Sequence, residues 1–217
     1  PKLIGLDPFA VEKIFRTVIQ PKFTRNPVLH TLIRIPPTRK LLNRMAGKKL
    51  KETFGGELKF FGIGGAKLNR SVEKFLIEAK FPYAIGYGMT ETSPLLAGFN
   101  PQNYRLQSTG TAIEGIELII HDPDHTTGEG EIWARGPNVM KGYYREPELT
   151  KEILTADGWL RTGDLGVFDR DGYLTIKGRL KNMIVLAGGE NVYPEEIESV
   201  INNFRHVAES LVVEQKG

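Results

Sequence analysis

The sequence predicts a mixed α/β fold that opens with a parallel βαβ unit, continues with a small antiparallel sheet or barrel, and ends at the start of a small α+β domain. Three observations support this prediction. Short apolar runs at 58–63 and 83–85 flank a stretch with helical spacing, which is the pattern of a parallel βαβ unit. From about residue 99 onward, short β-rich runs alternate with turn signals. Pro194 then begins the clearest helical pattern of the chain.

Composition excludes several classes of protein. Of the 217 residues, 40% are hydrophobic and 25% are charged, which argues against disorder of the whole chain. Cysteine is absent and the four histidines are scattered, so neither disulfides nor a thiolate or histidine metal site is expected. No apolar run reaches the ~18 residues of a membrane-spanning helix, and no signal peptide opens the chain. We therefore expect a cytoplasmic protein.

Basic residues are concentrated at the start of the sequence. Residues 1–51 contain 12 Lys and Arg but 2 Asp and Glu, whereas residues 52–217 contain 17 and 24. The favoured interpretation is a basic face that is solvated or that docks on an acidic part of a larger protein. A peripheral contact of residues 1–51 with a membrane is the alternative. The aromatic residues of this segment form no reader motif, so no nucleic-acid partner is expected. Oligomeric state is not predicted.

Helices are predicted over 9–20 and 38–53, where apolar residues recur at helical spacing. Pro21 and Pro27 predict interruptions between them, and Pro36-Pro37 prevents a helix from running through.

The next elements form the predicted βαβ unit. The strand 58–63 is followed by a helix for which Asn69 or Ser71 is the predicted cap. The strand 83–85 completes the unit and leads into Gly86-Tyr87-Gly88.

The middle third predicts antiparallel strands at 116–121 and 131–135, with a helix over 147–155. Residues 167–168 and 173–177 predict a hairpin around Asp169–Gly172.

The last part of the sequence contains an apolar run at 183–187. It predicts a helix that begins at Pro194 and a strand at 209–213.

Two glycine-containing stretches each follow a predicted strand, where α/β sheets bind ligands. Gly64-Gly65-Ala66 would let a nucleotide approach the backbone, although Lys67 breaks the dinucleotide fingerprint and a plain tight turn is an equal alternative. In the second stretch, the Tyr87 ring could stack on a base beside Gly88, and the Thr90 hydroxyl could contact phosphate. Glu91 offers a carboxylate of the kind that holds Mg²⁺. The alternative is a polar loop with a solvated Glu91.

Two later stretches carry polar residues suited to a ribose. Asp164, beside Gly163, could accept hydrogen bonds from ribose hydroxyls, or could belong to an ordinary turn between strands. Arg179 has a guanidinium that fits ribose or phosphate oxygens. Gly188-Gly189 could let a long, thin ligand lie along the backbone.

Three stretches together resemble the adenylate-forming superfamily of acyl-CoA synthetases, peptide-synthetase adenylation domains and luciferases. They are YGMTETSP at 87–94, WLRTGDLG at 159–166 and GRLKNMIVLAGGENVYPEEIE at 178–198. The resemblance covers nearly everything from Leu58 onward and is greatest to bacterial long-chain fatty acid–CoA ligases. It implies that residues 1–98 belong to the large adenylating domain, 99–180 to its antiparallel subdomain and 181–217 to the beginning of a C-terminal domain.

The resemblance also implies a role for each candidate residue. Gly64, Gly65 and Ala66 would line the adenine pocket, and Tyr87 would stack on adenine beside Gly88. Thr90 and Glu91 would be the catalytic pair, with Thr90 on phosphate and Glu91 on Mg²⁺.

Further along the chain, Asp164 and Arg179 would bind the ribose. Lys181 would be the hinge between the domains, and Gly188 and Gly189 would lie in the loop that approaches the thiol arm of coenzyme A.

The implied reaction is the ATP- and Mg²⁺-dependent activation of a carboxylate, most simply a long-chain fatty acid, followed by transfer to coenzyme A. The family's phosphate loop and C-terminal catalytic lysine have no counterpart in the sequence, so we expect these 217 residues to be a central fragment that is inactive alone. The alternatives are a non-catalytic AMP- or ATP-binding module and a ligase for an aryl or short-chain acid.

Overall fold

A computed structural model describes residues 2–65, 67–186, 188–202, 204, 206–207 and 209–214. The chain divides into two compact units. The first comprises Pro1–Gly88 and Ala97–Gly110, and the second comprises Met89–Leu96 and Thr111–Gly217.

The helices of the first unit lie mostly before its second strand. They are α1 (Pro8–Ile14), a π-helical turn (Phe15–Ile19), α2 (Gln20–Thr24), α3 (Pro27–Leu32), α4 (Pro36–Thr53) and α5 (Arg70–Glu78). The interruption predicted at Pro21 is wrong, because helical backbone continues from Ile19 into α2. The wider π-helical turn accommodates a following residue that has no N–H to donate.

Local side chains set where these helices begin. Asp7 Oδ1 accepts from Ala10 N at 2.9 Å at the start of α1. Asn69 Oδ1 accepts from Ser71 N at 2.9 Å at the start of α5. Asn69 is therefore the cap of the two predicted candidates, and it satisfies a helix N–H that has no partner within the helix.

The sheet of the first unit confirms the predicted parallel βαβ unit. Its strands are β1 (Lys2–Leu6), β2 (Leu58–Gly64), β3 (Tyr83–Gly88) and the end of β4 (Leu95–Gly98), in the order β1-β2-β3-β4. The β1–β2 and β2–β3 pairs are parallel, and α5 connects β2 to β3. β1 was not predicted.

Aromatic contacts connect the elements that form the core of this unit. The Phe61 ring lies 5.4 Å from the Phe54 ring and 5.2 Å from the Phe81 ring, between centroids. Phe15 and Phe75 join α5 to the π-helical turn with centroids 5.1 Å apart. Each buried aromatic side chain contributes roughly 2–3 kcal/mol by leaving water, so the helices before β2 and the helix after it share one core.

A buried carboxylate joins α5 to the segment after β4. Glu73 is fully buried, and its Oε1 accepts from the Tyr83 hydroxyl at 3.1 Å. Its Oε2 accepts from Gln107 N at 2.9 Å and from Gln107 Nε2 at 2.7 Å. Burial raises the pKa of Glu73 above its ordinary value, and these hydrogen bonds oppose the shift without cancelling it.

The second unit contains the predicted antiparallel sheet, in the order β6-β7-β8-β9. Its strands and helices are β5 (Thr111–Ala112), β6 (Glu117–His121), β7 (Gly130–Arg135), α6 (Pro147–Ile153), β8 (Leu160–Phe168), β9 (Leu174–Arg179), β10 (Ile184–Val185), β11 (Asn191–Val192) and α7 (Pro194–Ile201). β10 and β11 form a separate antiparallel pair. The predicted hairpin is β8–β9, and the predicted mixed α/β class is confirmed.

The strand predicted at 209–213 is wrong for the part that the structure describes, since residues 209–214 contain no strand. Val212 N donates to Glu198 Oε1 at 2.8 Å, and Ser210 Oγ lies 3.5 Å from Glu198 O. The Glu198 side chain thus takes a backbone N–H that a strand ladder would need.

No helix within the described residues is long and apolar enough to cross a bilayer.

Candidate functional site

The predicted nucleotide-binding residues fall into two groups, one in each unit. In the first unit, Gly64 ends β2 opposite Gly86 on β3. A Cβ on Gly64 would lie 3.3 Å from Gly86 O, which is tighter than ordinary packing. Gly65 follows in the left-handed region with φ +97° and Ala66 lies outside the described residues. Because glycine has no side chain, the backbone is accessible at the carboxyl ends of these two parallel strands, where such sheets bind ligands.

Tyr87 and Gly88 end β3 in the same unit. The Tyr87 side chain is 6% exposed, whereas Gly88 is exposed. Little of the Tyr87 ring is open to a base in this structure, so stacking requires the ring to be uncovered.

The predicted catalytic pair lies in the second unit, in a 3₁₀ turn at Thr90–Thr92. Thr90 is exposed and Glu91 is half-buried. The buried Thr92 hydroxyl holds the turn, because it donates to Pro94 O at 2.7 Å and accepts from Met89 N at 3.1 Å. The loop thus presents a hydroxyl and a carboxylate from a tightly bonded backbone.

Three residues within 138–143 hold this loop by hydrogen bonds, and the sequence did not reveal them. We call these residues the 138–143 brace. Asn138 Nδ2 donates to Thr92 O at 2.6 Å and to Leu95 O at 2.7 Å. Met140 N donates to Glu91 O at 2.8 Å. The Tyr143 hydroxyl donates to Glu91 Oε1 at 2.7 Å, and this bond raises the pKa of Tyr143.

Glu91 is therefore held by hydrogen bonds to both its backbone carbonyl and its carboxylate. Carboxylate and hydroxyl oxygens are the donors that Mg²⁺ prefers, and Mg²⁺ is usually held by one or two carboxylates together with substrate phosphates. The described residues contain no cluster of three or more His, Cys, Asp or Glu that could hold a metal. The donor set fits a magnesium ion that arrives with phosphate.

Asp164 and Arg179 meet across the antiparallel sheet. They are register partners on β8 and β9, and Arg179 Nε lies 3.2 Å from Asp164 Oδ1. The Asp164 side chain is 10% exposed and that of Arg179 is 64% exposed. Asp164 thus lies within a strand and not in the turn considered as an alternative.

The remaining candidates follow β9. Lys181 is exposed in a 3₁₀ turn, Leu180–Asn182. Gly188 and Gly189 are exposed, and Gly189 N donates to Leu186 O at 2.8 Å. Gly189 has φ +82°, so this tight turn favours glycine.

Residues 20–144 match the family model described as AMP-binding enzyme, which is more than half of the chain. The chain belongs to the AMP-binding enzyme family. This confirms the family that the three motif stretches indicate.

Relatives in the AMP-binding enzyme family include ligases for two kinds of acid. The chain is 32% identical over 206 residues to long-chain-fatty-acid–CoA ligase 1 of Saccharomyces cerevisiae. The aligned residues cover 93% of this chain and 29% of that relative. It is 31% identical over 208 residues to the 2-succinylbenzoate–CoA ligase of Oceanobacillus iheyensis, which covers 94% and 41%. The chain therefore spans less than half of the length of each relative.

A solved AMP-binding enzyme has the same fold. The O-succinylbenzoate coenzyme A synthetase of Bacillus subtilis in complex with AMP matches with a TM-score of 0.73 and 25% identity over 99% of this chain and 39% of that chain. Its complex with ATP and magnesium ion matches with a TM-score of 0.66 and 32% identity over 78% of this chain and 38% of that chain.

Proposed function

We propose that the full-length protein is an AMP-forming acyl-CoA ligase that activates a long-chain fatty acid. The observation that carries the proposal is the Glu91 carboxylate, braced in a loop that also exposes the Thr90 hydroxyl. Membership of the AMP-binding enzyme family and the named activities of its relatives support it. The solved relative in complex with ATP and magnesium ion supports the choice of substrates.

The proposed reaction has two steps. A carboxylate oxygen of the acid attacks the α-phosphorus of ATP, forming an acyl-adenylate and releasing pyrophosphate. The thiol of coenzyme A then attacks the acyl carbon, loses its proton and displaces AMP. Mg²⁺ held by Glu91 would offset the negative charge of the phosphates. Catalysis consists mainly of positioning and of stabilising developing charge.

The chain's own residues would contribute as follows. The Thr90 hydroxyl donates to a phosphate oxygen, and Asp164 accepts from ribose hydroxyls while Arg179 holds it in place. Gly64, Gly65 and Ala66 would line the adenine pocket, with the Tyr87 ring and Gly88 beside the base.

We retain the domain division 1–98, 99–180 and 181–217 as part of the proposal. Rotation at Lys181 would bring Gly188 and Gly189 to the thiol arm of coenzyme A.

The second candidate is a ligase for an aryl acid. The 31% identity to a 2-succinylbenzoate–CoA ligase over 94% of this chain favours it about as strongly as the yeast relative favours a fatty acid. Both candidates share the nucleotide chemistry and differ only in the acid.

Carboxylate-dependent ATP–pyrophosphate exchange by the full-length protein decides between these candidates. The acids to compare run from acetate to palmitate, with 2-succinylbenzoate added. Exchange with long chains alone supports the fatty-acid ligase, and exchange with 2-succinylbenzoate alone supports the aryl-acid ligase. ATP binding without exchange for any acid would instead favour a non-catalytic nucleotide-binding module.

Replacing Tyr143 by phenylalanine is expected to raise the Mg²⁺ concentration for half-maximal exchange by about 3–10-fold, because one hydrogen bond that orients Glu91 is lost. Folding should be unchanged, since Tyr143 is 39% exposed. The matched control is Tyr144→Phe, which changes a neighbouring ring that is 82% exposed. Equal Mg²⁺ requirements in the two variants would contradict a role for the Tyr143 hydroxyl.

A further inference from the structure

A three-residue bulge in β8 contains Asp164. Glu131 on β7 pairs with Leu165, and Trp133 pairs with Arg161. Ile132 on β7 therefore faces three residues on β8, the segment 162–164. We call this segment the 162–164 bulge. Gly163, at its centre, has φ +69°, a conformation that favours glycine.

Two side chains hold the bulge. The Thr162 hydroxyl donates to Ile132 O at 2.6 Å and accepts from Asp164 N at 3.1 Å. Glu131 Oε1 accepts from Gly163 N at 3.0 Å. The bulged backbone has left the ladder with β7, so these side chains supply partners that a regular strand would find in β7.

Glu131 is itself held in place by Trp133. Trp133 Nε1 donates to Glu131 Oε2 at 2.8 Å, so both carboxylate oxygens have a donor. The His121 ring stacks on the Trp133 ring with centroids 3.7 Å apart and planes at 15°. The Arg161 guanidinium also lies over this ring, 5.2 Å from its centroid.

We propose that Glu131 is a positioning residue for ribose recognition, because its carboxylate holds the 162–164 bulge and so directs Asp164 toward Arg179 and the ribose hydroxyls. The inference rests on the proposed function, in which Asp164 binds the ribose. Glu131 acts through Gly163 N–H and has no contact with the substrate in this role. It lies 33 residues from Asp164 in the sequence, so only the pairing of β7 with β8 brings it to the bulge.

The test compares ATP with 2′-deoxy-ATP and 3′-deoxy-ATP as substrates of the full-length protein. Glu131→Ala should raise the KM for ATP by about 10-fold and change kcat by less than about 3-fold, because a charge-assisted hydrogen bond that places a binding group is lost. The wild type should discriminate against at least one deoxy analogue by about 10-fold or more. Glu131→Ala should reduce that discrimination to below about 3-fold.

A rescue variant separates positioning from general damage to the sheet. The side-chain oxygen of a glutamine at 131 can accept from Gly163 N–H, but its NH2 group then faces the Trp133 N–H, so two donors meet. Glu131→Gln should therefore raise the KM for ATP when it is made in the wild-type background. It should leave the KM unchanged when it is added to Trp133→Phe, because Trp133→Phe removes that donor. Glu117→Ala is the control, since Glu117 pairs with Arg135 on the same sheet at 2.7 Å and its side chain is 60% exposed.

The outcomes distinguish the two proposals. Two outcomes overturn the positioning role and leave the proposed function standing, provided that the wild type exchanges pyrophosphate. In the first, Glu131→Ala discriminates against the deoxy analogues as the wild type does. In the second, Glu131→Ala loses no more activity than Glu117→Ala. Wild-type protein that neither exchanges pyrophosphate nor binds AMP in calorimetry overturns the proposed function and the inference with it. Calorimetry of AMP against 2′-deoxy-AMP and 3′-deoxy-AMP repeats the comparison without turnover, so it also decides the case of a folded variant that has lost exchange.

Discussion

Replacing Glu91 by glutamine in the full-length protein is expected to lower carboxylate-dependent ATP–pyrophosphate exchange by about 100-fold or more. The amide oxygen can still accept from the Tyr143 hydroxyl, and Met140 N can still donate to the backbone carbonyl at 91. The loop should therefore keep its shape. What is lost is the negative charge that would hold Mg²⁺ against the phosphates, an electrostatic contribution of several kcal/mol.

The Mg²⁺ dependence gives this experiment its specificity. The Glu91→Gln variant should need a higher Mg²⁺ concentration for half-maximal exchange, and excess Mg²⁺ should restore part of the rate. Glu114→Ala, which removes an exposed glutamate from the same unit, is the control. Exchange within about 3-fold of wild type at low Mg²⁺ would show that Glu91 is not the metal carboxylate.

Replacing Glu73 by alanine should lower the free energy of unfolding by about 3–5 kcal/mol. The alanine leaves the buried Tyr83 hydroxyl and the Gln107 N–H without their acceptor, and it removes one of the two acceptors of Gln107 Nε2. The measurement is urea unfolding of the full-length protein, followed by its transition midpoint. Glu52→Ala, an exposed change on α4, should shift that midpoint little.

Glu73→Gln should be far less destabilising than Glu73→Ala, because the amide can keep a hydrogen bond to each of these residues. Its oxygen can accept from both Gln107 donors, and its N–H can donate to the Tyr83 oxygen. The variant also removes a carboxylate whose charged form burial disfavours. At neutral pH we therefore expect it to be as stable as the wild type or more stable.

The pH dependence follows from the direction of the Glu73 pKa shift. Because the folded-state pKa lies above the ordinary value of 4.5, the folded protein holds this proton more tightly than the unfolded chain does. Wild-type stability relative to Glu73→Gln should be greatest below pH 4.5, fall as pH rises through the folded-state pKa, and then level off. A difference that grows in favour of the wild type as pH rises would show that the pKa is lowered instead.

Patterns within a few residues were enough to predict most of the secondary structure. Asn69 was one of two candidate caps, and the structure selects it because its side chain bonds the backbone two residues later. The β8–β9 hairpin was recognisable because its turn and both strands lie within 20 residues of one another. The three motif stretches likewise predicted the family, since each is continuous in the sequence.

Local pattern failed at two places, and the physical reason differs between them. Pro21 was expected to break a helix, but the π-helical turn before it lets the backbone continue. Residues 209–213 were expected to form a strand from their apolar character. A strand needs a backbone partner, and here Glu198 takes the Val212 N–H instead.

The sequence by itself thus determined the fold class, the family and the identity of the candidate residues. Only the tertiary structure decided what holds those residues in place. Tyr143 meets Glu91 across 52 residues of sequence, and Glu131 meets Gly163 across 32. The physical reason is that hydrophobic periodicity and turn chemistry record whether a residue is buried and how its backbone bends. A hydrogen bond between distant residues depends instead on which strand or loop the folded chain brings alongside.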